Sequence, residues 1–242
     1  MRPLTAAELL QAWESALDQS AIQRVLALLV PACPEYNGQA LAALPLGRRD
    51  SLLLTLREWS FGPRLTALAD CPSCTARVEL EFNTADIRVP QSQDLPETFS
   101  LVVGGVRVDF RLPDSRDLAA ASVAQANARL RLLERCILSA QREGQDMAPE
   151  ELPGAVEQAV VAEMARLDSQ ADVRLSLACP ACGWKWAEPF DIGAYFWEEL
   201  QRWALRLLAE VHNLAMVYGW READILAMSP RRRQIYLQMI NP

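Results

Sequence analysis

Two tetrapeptides constrain this chain more than anything else in it: Cys71-Pro72-Ser73-Cys74 and Cys179-Pro180-Ala181-Cys182. A Cys-x-x-Cys turn aims two thiolates at one point, and one such turn fills half of a tetrahedral zinc shell. The likeness of the two copies continues past the cysteines. Aligning Cys71 with Cys179 sets Pro72 on Pro180, Arg77 on Lys185, Phe82 on Phe190 and Asn83 on Asp191. Upstream, Arg64–Leu68 lies over Arg174–Leu177 with a one-residue gap nearer the cysteine. The pattern predicts two strand–knuckle–strand units closing on a single structural Zn²⁺ per chain, held by Cys71, Cys74, Cys179 and Cys182. Chance pairs and redox-active Cys-x-x-Cys turns are the alternatives, and the matched flanks favour structural zinc over both. Cys74 and Cys179 lie 105 positions apart, against roughly 15–20 residues between the pairs of an ordinary ribbon. A sizeable insertion must therefore leave the ribbon and return. Whether one chain or two supply the four ligands stays open.

The rest of the chain is read around that closure. Hydrophobic residues make up 51% of the 242, enough for a real core. Residues 1–62 form an N-terminal helical region. In it Thr5 and Glu8 make a capping box before the stripe Leu9, Leu10, Trp13 and Leu17. A second helix starts near Ser20, and a third, from about Arg48 to Ser60, carries Leu52, Leu53, Leu56 and Trp59 inward. Residues 63–90 hold the first knuckle, whose outgoing strand alternates Val78, Leu80 and Phe82 with charged residues. Residues 91–170 are the insertion. A polar linker from Pro90 to Glu97 leads to a hairpin turning at Gly104-Gly105, because both glycines tolerate positive φ. A long helix from about Leu118 to Ala140, capped by Asp114, Ser115 or Asp117, and a further helix from Ala155 to Leu167 follow. Residues 171–192 hold the second knuckle, and 193–242 are helical again, the last helix opening on Ser229-Pro230. The fold class expected is α+β, mainly α: a split four-cysteine zinc ribbon of two Cys-Pro-x-Cys knuckles with a β-hairpin and helices inserted.

Composition narrows the function. A net charge of −7 argues against a nucleic-acid binder. A single histidine, His212, has no nucleophile motif around it. No apolar run is long enough to span a bilayer, and the N-terminus lacks the form of a secretory signal, so a cytoplasmic location is expected. Cys33 and Cys136 read as buried free thiols. Trp184 and Trp186 suit packing around the metal better than base stacking. Arg231, Arg232 and Arg233 stand in the first turn of a helix, where cations oppose the macrodipole. They form either a solvated face bridged to the chain's own carboxylates or, with Trp220 and Tyr236, a docking patch for an acidic partner.

Several runs are similar to one protein family. They are Leu54–Cys74, Arg111–Leu118, Cys179–Gly183, Glu210–Trp220 and Ile225–Leu237, and the resemblance they mark runs over nearly the whole chain. They resemble the T-even-type phage baseplate hub assembly chaperones, encoded with contractile tails and contractile injection systems. The resemblance implies a non-enzymatic assembly factor or baseplate component that binds hub or baseplate proteins and associates with the particle. It implies no catalytic residues. A nucleic-acid-binding zinc ribbon using Trp184, Lys185, Trp186 and Arg231–Arg233 is the alternative. A zinc or thiol-redox enzyme is the third, and four thiolates would leave its metal no open position.

Overall fold

The computed structural model describes residues 1–90, 96–124 and 127–240. Its helices are α1 (Ala6–Ser15), α2 (Ala21–Ala32), α3 (Gly38–Ala42), α4 (Leu46–Phe61), α5 (Thr84–Ile87), α6 (Ser115–Val123), α7 (Ala128–Cys136), α8 (Gly154–Leu167), α9 (Ile192–Tyr218), α10 (Glu222–Leu226) and α11 (Pro230–Ile240). The strands are β1 (Arg64–Asp70), β2 (Arg77–Asn83), β3 (Phe99–Val103), β4 (Val106–Phe110), β5 (Ile137–Arg142), β6 (Gln145–Asp146), β7 (Arg174–Ala178) and β8 (Lys185–Pro189). The chain is thus mixed α and β, mainly helical with small sheets. Among the described residues no helix is long and apolar enough to cross a membrane. The expected linker at 90–97 falls mostly on residues 91–95, outside the described residues.

Two compact units emerge, residues 1–37 with 192–242 and residues 38–191. Residues 38–62 of the expected N-terminal helical region therefore group with the knuckles. The first unit is built on α9. Its buried positions Phe196, Leu200, Ala204, Leu207, Val211 and Leu214 recur every three or four residues and form one apolar face. Gly219, at φ 65°, ends the helix by donating its N–H to the Ala215 carbonyl at 2.8 Å. Helices α1, α2, α10 and α11 pack on α9. The expected capping box closes α1: Thr5 Oγ1 accepts the Glu8 N–H at 3.2 Å, and the Glu8 carboxylate accepts the Thr5 N–H at 2.9 Å. Leu17 departs from the expected stripe. Helix α1 ends at Ser15, and the leucine in the turn beyond is 41% exposed.

Among its described residues the second unit holds three separate sheets: β1-β2, β3-β4-β5-β6 and β7-β8. The Gly104-Gly105 turn is as expected, with both φ values positive and Val103 paired to Val106. Behind the larger sheet, Val106, Val108 and Phe110 meet Val156, Val160 and Met164 of α8. The expected long helix at 118–140 is corrected. Two helices stand in its place, α6 ending at Val123 and α7 running from Ala128 to Cys136, and residues 137–142 run as β5 against β4, with Phe110 beside Ile137 and Val108 beside Ala140. An open hydrogen-bonding edge on β4 claims a segment whose local composition reads as helix. The α4 stripe also turns. Leu53 and Leu56 are fully buried, but Trp59 is 46% exposed, and Arg57 lies inward instead, donating to the Gly62 carbonyl at 2.7 Å.

The start of α6 is a buried ionic corner. Of the three expected caps, Asp114 serves, accepting the N–H groups of Arg116 and Asp117 at 2.8 and 3.2 Å. Asp117, itself fully buried, takes both guanidinium nitrogens of Arg111 at 2.6 and 2.9 Å and Arg135 Nε at 2.8 Å. Burial pushes the Asp117 carboxyl up, but Arg111, the Asp114 N–H and Arg135 outweigh it and hold it down at about 2.

Candidate metal centre

Each knuckle is a β-hairpin whose loop is the Cys-x-x-Cys turn. Strands β1 and β2 pair from Arg64–Asn83 to Asp70–Arg77, and β7 and β8 from Arg174–Pro189 to Ala178–Lys185. The loop hydrogen bonds repeat residue for residue. Cys71 N–H donates to the Ala76 carbonyl at 2.9 Å, as Cys179 N–H does to Trp184 at 2.8 Å. Thr75 N–H returns to the Cys71 carbonyl and Gly183 N–H to that of Cys179, both at 2.9 Å. Those returning residues are left-handed, Thr75 at φ 58° and Gly183 at φ 76°. The aligned phenylalanines also meet: Phe82 and Phe190 stand edge to face, their centroids 5.4 Å apart.

The pairs close on each other within one chain. Sulfurs meet across the knuckles, Cys71–Cys182 at 3.7 Å and Cys74–Cys179 at 3.6 Å, and all four lie within 4.8 Å of one another. Four cysteines so placed are close enough to bind a metal ion. Cys71 and Cys179 are buried, Cys74 and Cys182 exposed. The backbone N–H of Cys182, with that of Ala181, faces the Cys179 sulfur and draws that thiol down to about 7. At Cys74 the Ala76 N–H works the same way, but the thiols of Cys182 and Cys179 push it up to about 12. Four thiols crowded together do not ionise independently. Val78, Leu80, Ala76 and Trp186 pack around the buried pair, and Trp186 Nε1 donates to Glu188 at 3.0 Å. Trp184 is 53% exposed, outside that packing. Arg77 pairs with Asp70 across the hairpin at 3.4 Å.

The family model described as T4 bacteriophage base plate protein matches residues 1–197, a span that contains both knuckles. The chain belongs to this family. No curated protein and no solved structure matches it.

The tail of this baseplate-family protein, beyond the matched residues, carries the other expected site residues. Trp220 stacks on Tyr218 with centroids 4.5 Å apart, and Tyr236 stands edge-on to Trp220 at 4.8 Å. The three arginines part company. Arg233 is 3% exposed, its Nε on Glu210 at 2.9 Å and a terminal nitrogen on the Met228 carbonyl at 2.8 Å. Arg231 and Arg232 are exposed, and the Arg232 guanidinium lies 5.8 Å from the Tyr236 ring centre. Cys33 and Cys136 are buried free thiols. Burial first, then the Asp117 charge, pushes Cys136 up to about 12.

A second closure of the insertion was not expected from sequence. Gln170, 2% exposed, accepts the Val89 N–H at 2.7 Å and donates to the Ile87 carbonyl at 3.2 Å. It joins the outgoing and returning chain as a strand residue would. One polar residue between two expected elements offers no periodicity that would mark it.

Proposed function

We propose that the protein is a non-enzymatic assembly factor or structural component of a contractile-tail baseplate hub, of the hub assembly chaperone kind. It acts by binding other baseplate proteins, and a structural zinc ribbon rigidifies it. One observation carries the zinc: the four sulfurs converge from two matched knuckles. A tetrahedron with Zn–S bonds of about 2.3 Å has sulfur–sulfur edges of about 3.8 Å. The cross-knuckle distances of 3.7 and 3.6 Å fit that edge. An all-thiolate set suits Zn²⁺, and with four protein ligands the ion takes a structural part. Cys71, Cys74, Cys179 and Cys182 would hold it, and the knuckle N–H groups facing the sulfurs would disperse the formal charge of about −2 that four thiolates leave around Zn²⁺. The baseplate role rests on family membership and on the sequence resemblance of the tail.

The test is co-expression with the hub and baseplate proteins of the same particle, followed by affinity capture. The protein is expected to retain at least one of them, and a strain lacking it is expected to assemble defective baseplates. Failure to retain any of them, together with normal particles from the deletion strain, would overturn the proposal.

A further inference from the structure

Helix α11 has two unlike faces. Arg233, Tyr236, Leu237 and Ile240 turn inward: Arg233 onto Glu210, the others into the cluster of Leu207, Val211, Leu214 and Ile225. On the opposite side Arg231, Ile235 and Met239 are spaced four apart and make one ridge. Ile235 is 43% and Met239 65% exposed, and Arg232 flanks the ridge at its start. The ridge is therefore basic at one end and apolar at the other.

Among the described residues the basic end lacks a carboxylate partner. The first turn of α11 holds no acidic residue, and neither Arg231 nor Arg232 pairs with a carboxylate among the described residues, whereas Arg233 does. Both cations oppose the positive end of the helix dipole. Their positions favour an anionic neighbour, and the apolar half of the ridge requires that neighbour to carry apolar surface as well.

We propose that this ridge docks an acidic amphipathic helix of another baseplate protein, its carboxylates against Arg231 and Arg232 and its apolar residues on Ile235 and Met239. This partner class rests on the functional reading above. Arg233, Trp220 and Tyr236 hold α11 in place and present the ridge.

The probes are two synthetic helical peptides of roughly 20 residues. They share one apolar stripe, flanked by Glu in one and Lys in the other, and are titrated against the full zinc-loaded chain at low and high salt. The Glu peptide is expected to bind, more weakly as salt rises, and the Lys peptide not. Arg231→Glu with Arg232→Glu should weaken the Glu peptide about tenfold and admit the Lys peptide. Ile235→Ser with Met239→Ser should weaken the Glu peptide while keeping the salt dependence. Far-UV circular dichroism and melting confirm that both variants stay folded. Equal binding of the two peptides, or an arginine variant that binds as the parent does, overturns the proposal. So does sedimentation showing self-association that the arginine variant loses, which would assign the ridge to a second copy. In baseplate co-expression, an arginine variant retained as well as the parent overturns the ridge and leaves the baseplate role standing. Failed capture of parent and variant alike, together with normal particles from the deletion strain, overturns the role itself.

Discussion

At residue scale, the two knuckles differ where one backbone position is left-handed in both. Gly183 reaches φ 76° freely, whereas Thr75 is held at φ 58°. A β-branched residue there carries a penalty of roughly 1–2 kcal/mol, while glycine adds about 0.5–1 kcal/mol of unfolded-state entropy. Thr75→Gly is thus expected to stabilise the metal-loaded protein by about 0.5–1 kcal/mol, measured by denaturant unfolding; a destabilised variant would show that the Thr75 hydroxyl bond to the Cys74 carbonyl outweighs the strain. Asp117 presents the opposite case, a buried charge that is fully partnered. Its folded pKa of about 2 is below the ordinary 3.8. The unfolded chain therefore binds the proton more readily. Stability from this group is complete above about pH 4 and drains away as pH falls towards 2. Asp117→Asn should lose about 2–3 kcal/mol at neutral pH, because Arg111 and Arg135 are left facing a neutral amide. Unfolding series from pH 7 to 2 should find that the variant lacks this part of the acid slope, and an unchanged slope would remove Asp117 as its source.

At element scale, features specified by neighbours in sequence were legible, and those specified by distant partners were not. The Thr5 and Ser20 caps, the Gly104-Gly105 turn and the Ser229-Pro230 start each depend on a few adjacent residues. The knuckle repeat was legible because the same short hydrogen-bond pattern is written twice, down to the meeting of Phe82 with Phe190. Strand β5 was not legible, since its conformation is decided by the open edge of β4. Nor was the inward rotation of Arg57, which follows from a carbonyl at the helix end. The Gln170 clasp joins residues 81 and 83 positions apart and obeys no local period. Its loss orphans a backbone donor and an acceptor. Gln170→Ala is accordingly expected to cost about 1–3 kcal/mol. Hydrogen exchange at Val89 should quicken in the same variant, whereas unchanged protection would mean that another group takes the bond.

At the scale of the whole molecule, the four clustered cysteines come from the ends of a long insertion, and all four belong to the unit spanning residues 38–191. Two hairpins with few buried side chains cannot stand alone in water, so metal binding and the folding of this region should be one equilibrium. The cluster of Leu207, Val211, Leu214 and Ile225 is made of apolar residues from the unit that holds α9. The native protein is expected to contain about one zinc per chain. Cys71→Ser and Cys182→Ser should lose it equally, since each breaks the same closed shell. A strong chelator should then abolish amide protection in β1, β2, β7 and β8 while leaving the α9 amides protected. Elemental analysis with hydrogen exchange before and after chelation checks both. Half the metal remaining after loss of one pair would mean that each knuckle holds its own ion. Deprotection of α9 together with the hairpins would mean that the metal supports the entire chain. Retained zinc with selective loss of hairpin protection would follow neither course, and would place the ion away from these cysteines.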